Sequence, residues 1–266
     1  MARDVMIITG ACGGIGQAMA RRFASDYRLL LCDISEERLA GLRAELAGDH
    51  EIQAGDVAAA GTIERIVARS AELGRFQALI HTAGISPGMG DARSIMAVNL
   101  LSSVRITDAL LPYATPGSVV VLIASMSGHK YPPSPLDPDL LDPGADGALD
   151  RLAVALDPVA AYRASKRGVI LLCEARCAAW GERGARIVTI SPGPVETAMI
   201  AKELASSPTL AAELALTPLG RHARADEIVD AAAFLCSDQA RFVTGADLRV
   251  DGGLIAAARA GKTGQP

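Results

Sequence analysis

The sequence predicts a doubly wound α/β domain, a parallel sheet of seven strands flanked by helices on both faces. Three observations predict it. Short apolar runs alternate with longer helical patterns along most of the 266 residues, and such alternation implies right-handed crossovers and a parallel sheet. Several of these runs are continuously apolar, most clearly Val119-Val120-Val121-Leu122-Ile123, as strands covered on both faces must be. Half of the residues are apolar and 21% are charged, an ordinary globular composition whose length allows one substantial core.

In chain order, strands are expected at Val5–Thr9, Arg28–Asp33, Glu51–Ala54, 78–82, 119–124, 186–191 and 247–250. Helices are expected between them at 15–25, 36–47, 63–73, 93–111, 160–180 and Ala225–Cys236. The reading is one domain over residues 1–266. Two segments interrupt its rhythm. Residues 131–158 carry six prolines and six aspartates, too long a stretch for a plain connection, and read as an insertion with a short helix near 148–156. Residues 196–218 follow a strand and read as a helical excursion over the carboxyl edge of the sheet.

Composition excludes several classes. A net charge of -4 leaves no basic footprint for nucleic acid or an anionic membrane. No run approaches the ~20 apolar residues of a membrane span, and the chain enters its first strand without a signal peptide, so a cytoplasmic address is expected. Cys12, Cys32, Cys173, Cys177 and Cys236 are odd in number and lack metal-ligand spacing. They read as small core fillers in a reducing compartment, and no metal site is expected.

The first strand runs into Thr9-Gly10-Ala11-Cys12-Gly13-Gly14-Ile15-Gly16, which opens a helix. Glycines at 10, 14 and 16 permit a tight turn and close approach of a pyrophosphate to a helix N-terminus. Asp33 ends the second strand. A carboxylate there can accept both adenosine ribose hydroxyls and repel a 2′-phosphate, and neither Gly13 nor Ile34 supplies a compensating cation. NAD is favoured over NADP. The competing reading of Asp33 is a strand-end cap facing solvent.

Tyr162 and Lys166 lie four residues apart in Tyr-Arg-Ala-Ser-Lys, on one face of a helix. The row continues through Val169 or Ile170, Cys173 and Cys177, so the lysine interrupts an apolar stripe. A neighbouring ammonium favours a phenolate, which lets a tyrosine exchange protons with an alcohol or carbonyl. The bland alternative is a snorkelling lysine beside a half-buried tyrosine.

From Val5 to Gly253 the ordered set of motifs resembles the short-chain dehydrogenase/reductase family, with a Rossmann-type fold. The glycine spacing is that family's. Asp56-Val57 resembles its adenine-contacting pair, and His81-Thr82-Ala83-Gly84 its Asn-Asn-Ala-Gly turn. Asn99 resembles its helical asparagine and Ser125 its serine at the end of the fifth strand. Residues 192–197, Pro-Gly-Pro-Val-Glu-Thr, resemble the loop that grips the nicotinamide carboxamide, and Asp251-Gly252-Gly253 the closing motif. Three departures stand out: His81-Thr82 for two asparagines, Thr189 for an asparagine, and a 37-residue gap from Ser125 to Tyr162. The insertion accounts for that gap, and members acting on steroids and other bulky ketones are similar in carrying one.

The resemblance implies roles. Tyr162 is the general acid/base, Lys166 tunes it and holds the nicotinamide ribose, Ser125 orients the substrate oxygen, and Asn99 holds a water linking Lys166 to solvent. The cofactor set it implies is Gly10, Cys12, Gly13, Gly14, Ile15, Gly16, Asp33, Ile34, Asp56, Val57, Ala83, Gly84, Tyr162, Lys166, Pro192, Gly193, Val195 and Thr197. Ser127 competes with Ser125 by register, Asn99 could merely bond a carbonyl, Thr197 could cap the excursion, and His129 is read as a loop anchor or a solvent-facing side chain.

Ile85, Met89, Met126, Tyr131, Pro132, Met199 and Leu204 are expected to wall an apolar pocket. The expected substrate is a hydrophobic secondary alcohol or ketone, with a hydroxysteroid as one candidate. A 3-oxoacyl-thioester reductase and a catalytically silent NAD-sensing regulator are the alternatives. The family also implies self-association, as a homodimer or homotetramer.

Overall fold

A computed structural model describes residues 3–196, 213 and 215–261. Its strands are β1 (Val5–Thr9), β2 (Arg28–Asp33), β3 (Glu51–Ala54), β4 (Phe76–His81), β5 (Val119–Ile123), β6 (Arg186–Pro192) and β7 (Ala246–Val250). They form one parallel sheet in the order β3-β2-β1-β4-β5-β6-β7. The order reverses between β1 and β4, and in such sheets the crevice at the carboxyl ends of the strands flanking the switch is where ligands bind. Register pairs Thr9 with Cys32 on one side and with His81 on the other, so the glycine turn, the β2 acid and the β4 turn leave the sheet at one level.

Two apolar layers sandwich the sheet. One gathers Ile7, Leu79, Val120 and Leu122 with the helices α3 (Thr62–Leu73), α5 (Ser102–Leu110) and α8 (Pro158–Gly181). The other gathers Met6, Ile8, Ile80 and Val121 with α1 (Gly14–Phe23), α2 (Glu36–Glu45) and α9 (Ala225–Cys236). The alternation along β1, even residues to one layer and odd to the other, is the pleat of a strand buried on both sides. Helix α10 (Leu254–Arg259) closes the described chain, its first turn capped by Asp251, whose carboxylate accepts from Gly253 N and Ile255 N.

The expected continuous helix at 93–111 is divided. Helix α4 (Ala92–Met96) passes into one π-helical turn (Ala97–Leu101) before α5. Hydroxyls intrude on the ladder there: Ser102 Oγ donates to Val98 O and Ser103 Oγ to Asn99 O, competing with backbone amides. By length and composition this stretch is an exception to the expectation that no run approaches a membrane span. Ala92–Tyr113 (mean hydropathy 1.3) is long and apolar enough to cross a membrane by length and composition, and 61% of its most apolar window is buried inside the molecule.

The insertion shares the main core. Its chain forms α6 (Asp137–Leu141), which sequence reading missed, and α7 (Ala148–Ala155). Leu140 and Leu152 are fully buried in the same apolar layer as α4 and α8. Arg167 on α8 pairs with Asp137 at 2.8 Å, Arg93 on α4 with Asp150, and Arg151 with Asp139 at 2.6 Å. Asp157 then caps α8 by accepting from Ala160 N at 2.8 Å, with Pro158 at the first helical position.

Candidate active site

The glycine turn is a cradle shaped by close approach. Gly10 has φ +64°, and a Cβ there would stand 2.7 Å from Ala83 N, so a side chain would both strain the backbone and strike the β4 turn. Gly13 precedes α1 without any side-chain cap, and no acidic residue lies in the first turn. The amides of Gly14, Ile15 and Gly16 at this helix N-terminus thus present positive partial charge to the crevice.

Asp33 holds the turn from the side. Its Oδ2 accepts from Cys12 N at 2.9 Å and its Oδ1 from Ile34 N at 2.8 Å. Burial, then the Asp33 charge, push the Cys12 thiol up to about 11, so that side chain is an inert neutral filler. Sequence reading did not single out Arg38, on α2. Its guanidinium donates to Cys12 O, which places a cation beside the same turn as Asp33. Its partner lies 26 residues back, so no local spacing pointed to it. Ile34 is largely exposed at the mouth. Asp56 Oδ1 accepts from Ala58 N at 2.8 Å in a local turn, and Val57 is buried beside it.

At the other end of the crevice, Lys166 is buried, 6% exposed, with Nζ donating to Ile123 O at 2.9 Å. Nζ lies 5.9 Å from the Tyr162 ring centroid, so ammonium and phenol share one side of α8. Burial holds the ammonium down to about 8. A Cβ built on Gly84 would stand 3.5 Å from that Nζ and 3.3 Å from Asn99 Oδ1, which brings the β4 turn, Asn99 and Lys166 to one spot.

Ser125 follows β5 and is 8% exposed; its Oγ accepts from Ser127 N at 3.1 Å and caps the 3-10 turn Met126–Lys130. That turn lies directly on α8, since a Cβ on Gly128 would come within 2.8 Å of the Lys166 and Arg167 backbone. Asn99 clamps Ile85 from both sides: its Oδ1 accepts from Ile85 N at 2.8 Å and its Nδ2 donates to Ile85 O at 3.0 Å. The same Nδ2 donates to Ser165 Oγ at 3.2 Å, and Ser165 donates to Tyr162 O at 2.8 Å.

The departures from the family pattern have local answers. Thr82 Oγ1 donates to Thr9 O at 2.6 Å and ties the β4 turn to β1. Thr189 Oγ1 and Ser191 Oγ both donate to Asp247 Oδ1, and His129 Nε2 lies 2.7 Å from Asp247 Oδ2, making His129 an anchor of its loop to β7. Lys130 reaches Glu213 at 2.5 Å.

Gly193 donates to Val250 O at 2.9 Å and Val195 bridges to Ala223, so the Pro192–Val195 loop is fixed at the ends of β6 and β7. Thr197, Met199 and Leu204 lie outside the described residues. Met126, expected in the pocket wall, is buried against Leu254 and Ile255, with Leu216 packed beside them. Among the described residues no three His, Cys, Asp or Glu side chains cluster to hold a metal ion.

Comparison with known proteins agrees with this architecture. Residues 4–135 match the family described as short chain dehydrogenase, and residues 149–255 the family described as Enoyl-(Acyl carrier protein) reductase. The D-threitol dehydrogenase of Mycolicibacterium smegmatis is 34% identical over 94% of this chain and 92% of its own length. The 3-alpha-hydroxysteroid dehydrogenase/carbonyl reductase of Comamonas testosteroni is 29% identical over 96% and 98%. The crystal structure of the 3-alpha-hydroxysteroid dehydrogenase from Pseudomonas sp. B-0831 complexed with NADH has a TM-score of 0.81 at 25% identity, covering 97% of this chain and 99% of that one. The chain belongs to the short-chain dehydrogenase/reductase family, nicotinamide-dependent oxidoreductases of alcohol groups, and is similar to its hydroxysteroid-dehydrogenase members.

Proposed function

We propose that the protein is an NAD-dependent dehydrogenase of apolar secondary alcohols, working reversibly on the matching ketones, with Tyr162 as acid/base. The observation that carries the reading is the buried ammonium of Lys166, held by the Ile123 carbonyl on the Tyr162 side of α8 and facing Gly84. A buried cation with a backbone carbonyl as partner is costly unless it serves anionic or polar groups nearby.

The residues fit a dinucleotide: Gly10 lets the turn close against Ala83 of the β4 turn, the α1 amides suit a pyrophosphate, and Asp33 suits a ribose. Bound there, a nicotinamide would supply or accept the hydride. The Pro192–Val195 loop would hold its carboxamide end and Lys166 its ribose hydroxyls. The chain's own part is proton chemistry. Tyr162 takes the proton of the alcohol in one direction and returns it to the carbonyl oxygen in the other, with Lys166 favouring the charged phenolate. Ser125 positions the substrate oxygen. Asn99 holds the Ile85 wall and, through Ser165, the Tyr162 turn of α8.

Asp33 supports NAD over NADP. Arg38 is the counterweight: with its cation at the same turn, an NADP-using reductase of 3-oxoacyl thioesters is the second reading, and the 3-oxoacyl-[acyl-carrier-protein] reductase of Thermotoga maritima is 29% identical to this chain. Half-buried Ile85, Tyr131, Leu136 and Leu156 along the α8 layer support an apolar substrate. Exposed Phe242, Leu248 and Phe234 around edge strand β7 support a homo-oligomer, dimer or tetramer, and five free thiols support a cytoplasmic address.

The test is reduced-nicotinamide absorbance with NAD or NADP against hydroxysteroids, terpenoid and aryl alcohols, and polyols. Turnover with NAD on the hydrophobic alcohols is expected. Oxidation of threitol-like polyols alone would overturn the substrate class, and tight cofactor binding without turnover on any alcohol would point to a sensor.

A further inference from the structure

A second polar chain runs behind the site, and its centre is His81. The residue is 2% exposed between fully buried Thr9 and Ser102. Thr9 Oγ1 lies 2.7 Å from Nδ1, and Ser102 Oγ 3.2 Å from Nε2. The direction of every bond can be assigned. Ser102 gives its only proton to Val98 O at 2.5 Å, so Nε2 must donate to it. Nδ1 is then the acceptor, and Thr9 Oγ1 donates to it while accepting from Ala83 N at 3.4 Å. The chain therefore runs without a break from the Ala83 amide of the cofactor turn to the π-helical carbonyl beside Asn99.

We propose that His81 is a positioning residue, locked neutral as the Nε2–H tautomer, which holds the Ala83 turn in register with the π-helical turn that carries Asn99. The proposal rests on the dehydrogenase reading for its catalytic consequence and on hydrogen-bond geometry alone for its tautomer. A charged ring would have two donors and would break the bond with Thr9 or force that hydroxyl to rotate away from the chain. Burial, with the Lys166 charge as the second cause, pushes the imidazolium down to about 3, in keeping with that requirement. The asparagine of the family pattern could reach Thr9 but is too short to reach Ser102 as well. The histidine thus makes a connection that the usual residue does not.

Two measurements test it. In 15N-histidine NMR of the whole protein, one of the four histidines, assigned by its loss in His81→Asn, is expected to show the Nε2–H pattern unchanged from pH 5 to 9. An Nδ1–H pattern, or titration near the ordinary value, would overturn the assignment whether or not any alcohol is turned over. His81→Asn is expected to keep cofactor Kd within about twofold while lowering kcat about tenfold, and His81→Leu to weaken both. If both variants lower only Tm, with kcat and cofactor Kd of the folded protein unchanged, the residue is structural and the proposal fails. Should His81→Asn not fold, the His81 signal is assigned by elimination with His50→Asn, His129→Asn and His222→Asn, and the tautomer of the unmodified protein still decides the matter.

Discussion

The β1–β2 corner and the β5–α8 corner face one crevice but are held in different ways. At β1–β2 the shape is made by backbone: Gly10 against Ala83, the uncapped amides of α1, and Asp33 receiving Cys12 N. At β5–α8 it is made by side chains that reach across long stretches of chain: Lys166 to Ile123, Asn99 to Ile85 and Ser165, His129 to Asp247, Arg167 to Asp137. The first suits a ligand common to many enzymes, whose phosphates ask for amides. The second suits a variable ligand, because each contact can be exchanged without disturbing the sheet.

If the corners are separable, changes at the seam should affect the whole molecule and changes within one corner should affect one ligand. Lys166 is the seam, and its variant should have the largest effect. Its ammonium is held down to about 8 when folded, against an ordinary value of 10.5. The unfolded chain therefore binds the extra proton across that window, and the residue's contribution to stability rises with pH from 8 to 10.5, by at most on the order of 3 kcal/mol. Cys32 and Cys173, pushed up by burial, act oppositely above about pH 9. The readout is consequently the difference in denaturant stability between the wild-type protein and Lys166→Met. It should grow across the window, and a flat difference would mean the ammonium is better solvated than its burial implies.

Asp33→Asn comes next. Losing charged hydrogen bonds to a ribose, and the repulsion of a 2′-phosphate beside Arg38, should shift the NAD-to-NADP preference by about 10- to 100-fold. Substrate KM should stay put. A parallel change in alcohol KM would join the two corners that the comparison separates. Smallest is Arg167→Met, which frees Asp137 of the insertion. The pair is only partly shielded, so about 1 kcal/mol is at stake. Alcohol KM should rise a few-fold with cofactor Kd unchanged, and a change confined to the cofactor would contradict it.

The same contrast explains what was legible in the sequence. β1 and β2 fall on the expected residues because each is an apolar run ended by a glycine or an acid, and β3, Glu-Ile-Gln-Ala, because it stops at Gly55. The glycine cradle and the Tyr162–Lys166 face were legible for the same reason, short spacing on one element. The π turn at Ala97–Leu101 was not, since it depends on hydroxyls that a helical periodicity does not weigh. Nor was α6, five residues with a proline inside, too short for any period to register. Arg38 on Cys12, Lys130 on Glu213 and the links of His81 join residues that no local pattern relates. Met126 was legible as covered, but apolarity does not say by what: Leu254 and Ile255 lie against it.

Single-turnover rates of Tyr162→Phe, measured at saturating cofactor on the best alcohol of the panel, probe the proposed chemistry most directly. Loss of the proton carrier from an otherwise intact site should slow transfer by about 10²- to 10⁴-fold, with cofactor still bound and Tm preserved. A rate within tenfold of the unmodified protein would show that the proton travels by another route.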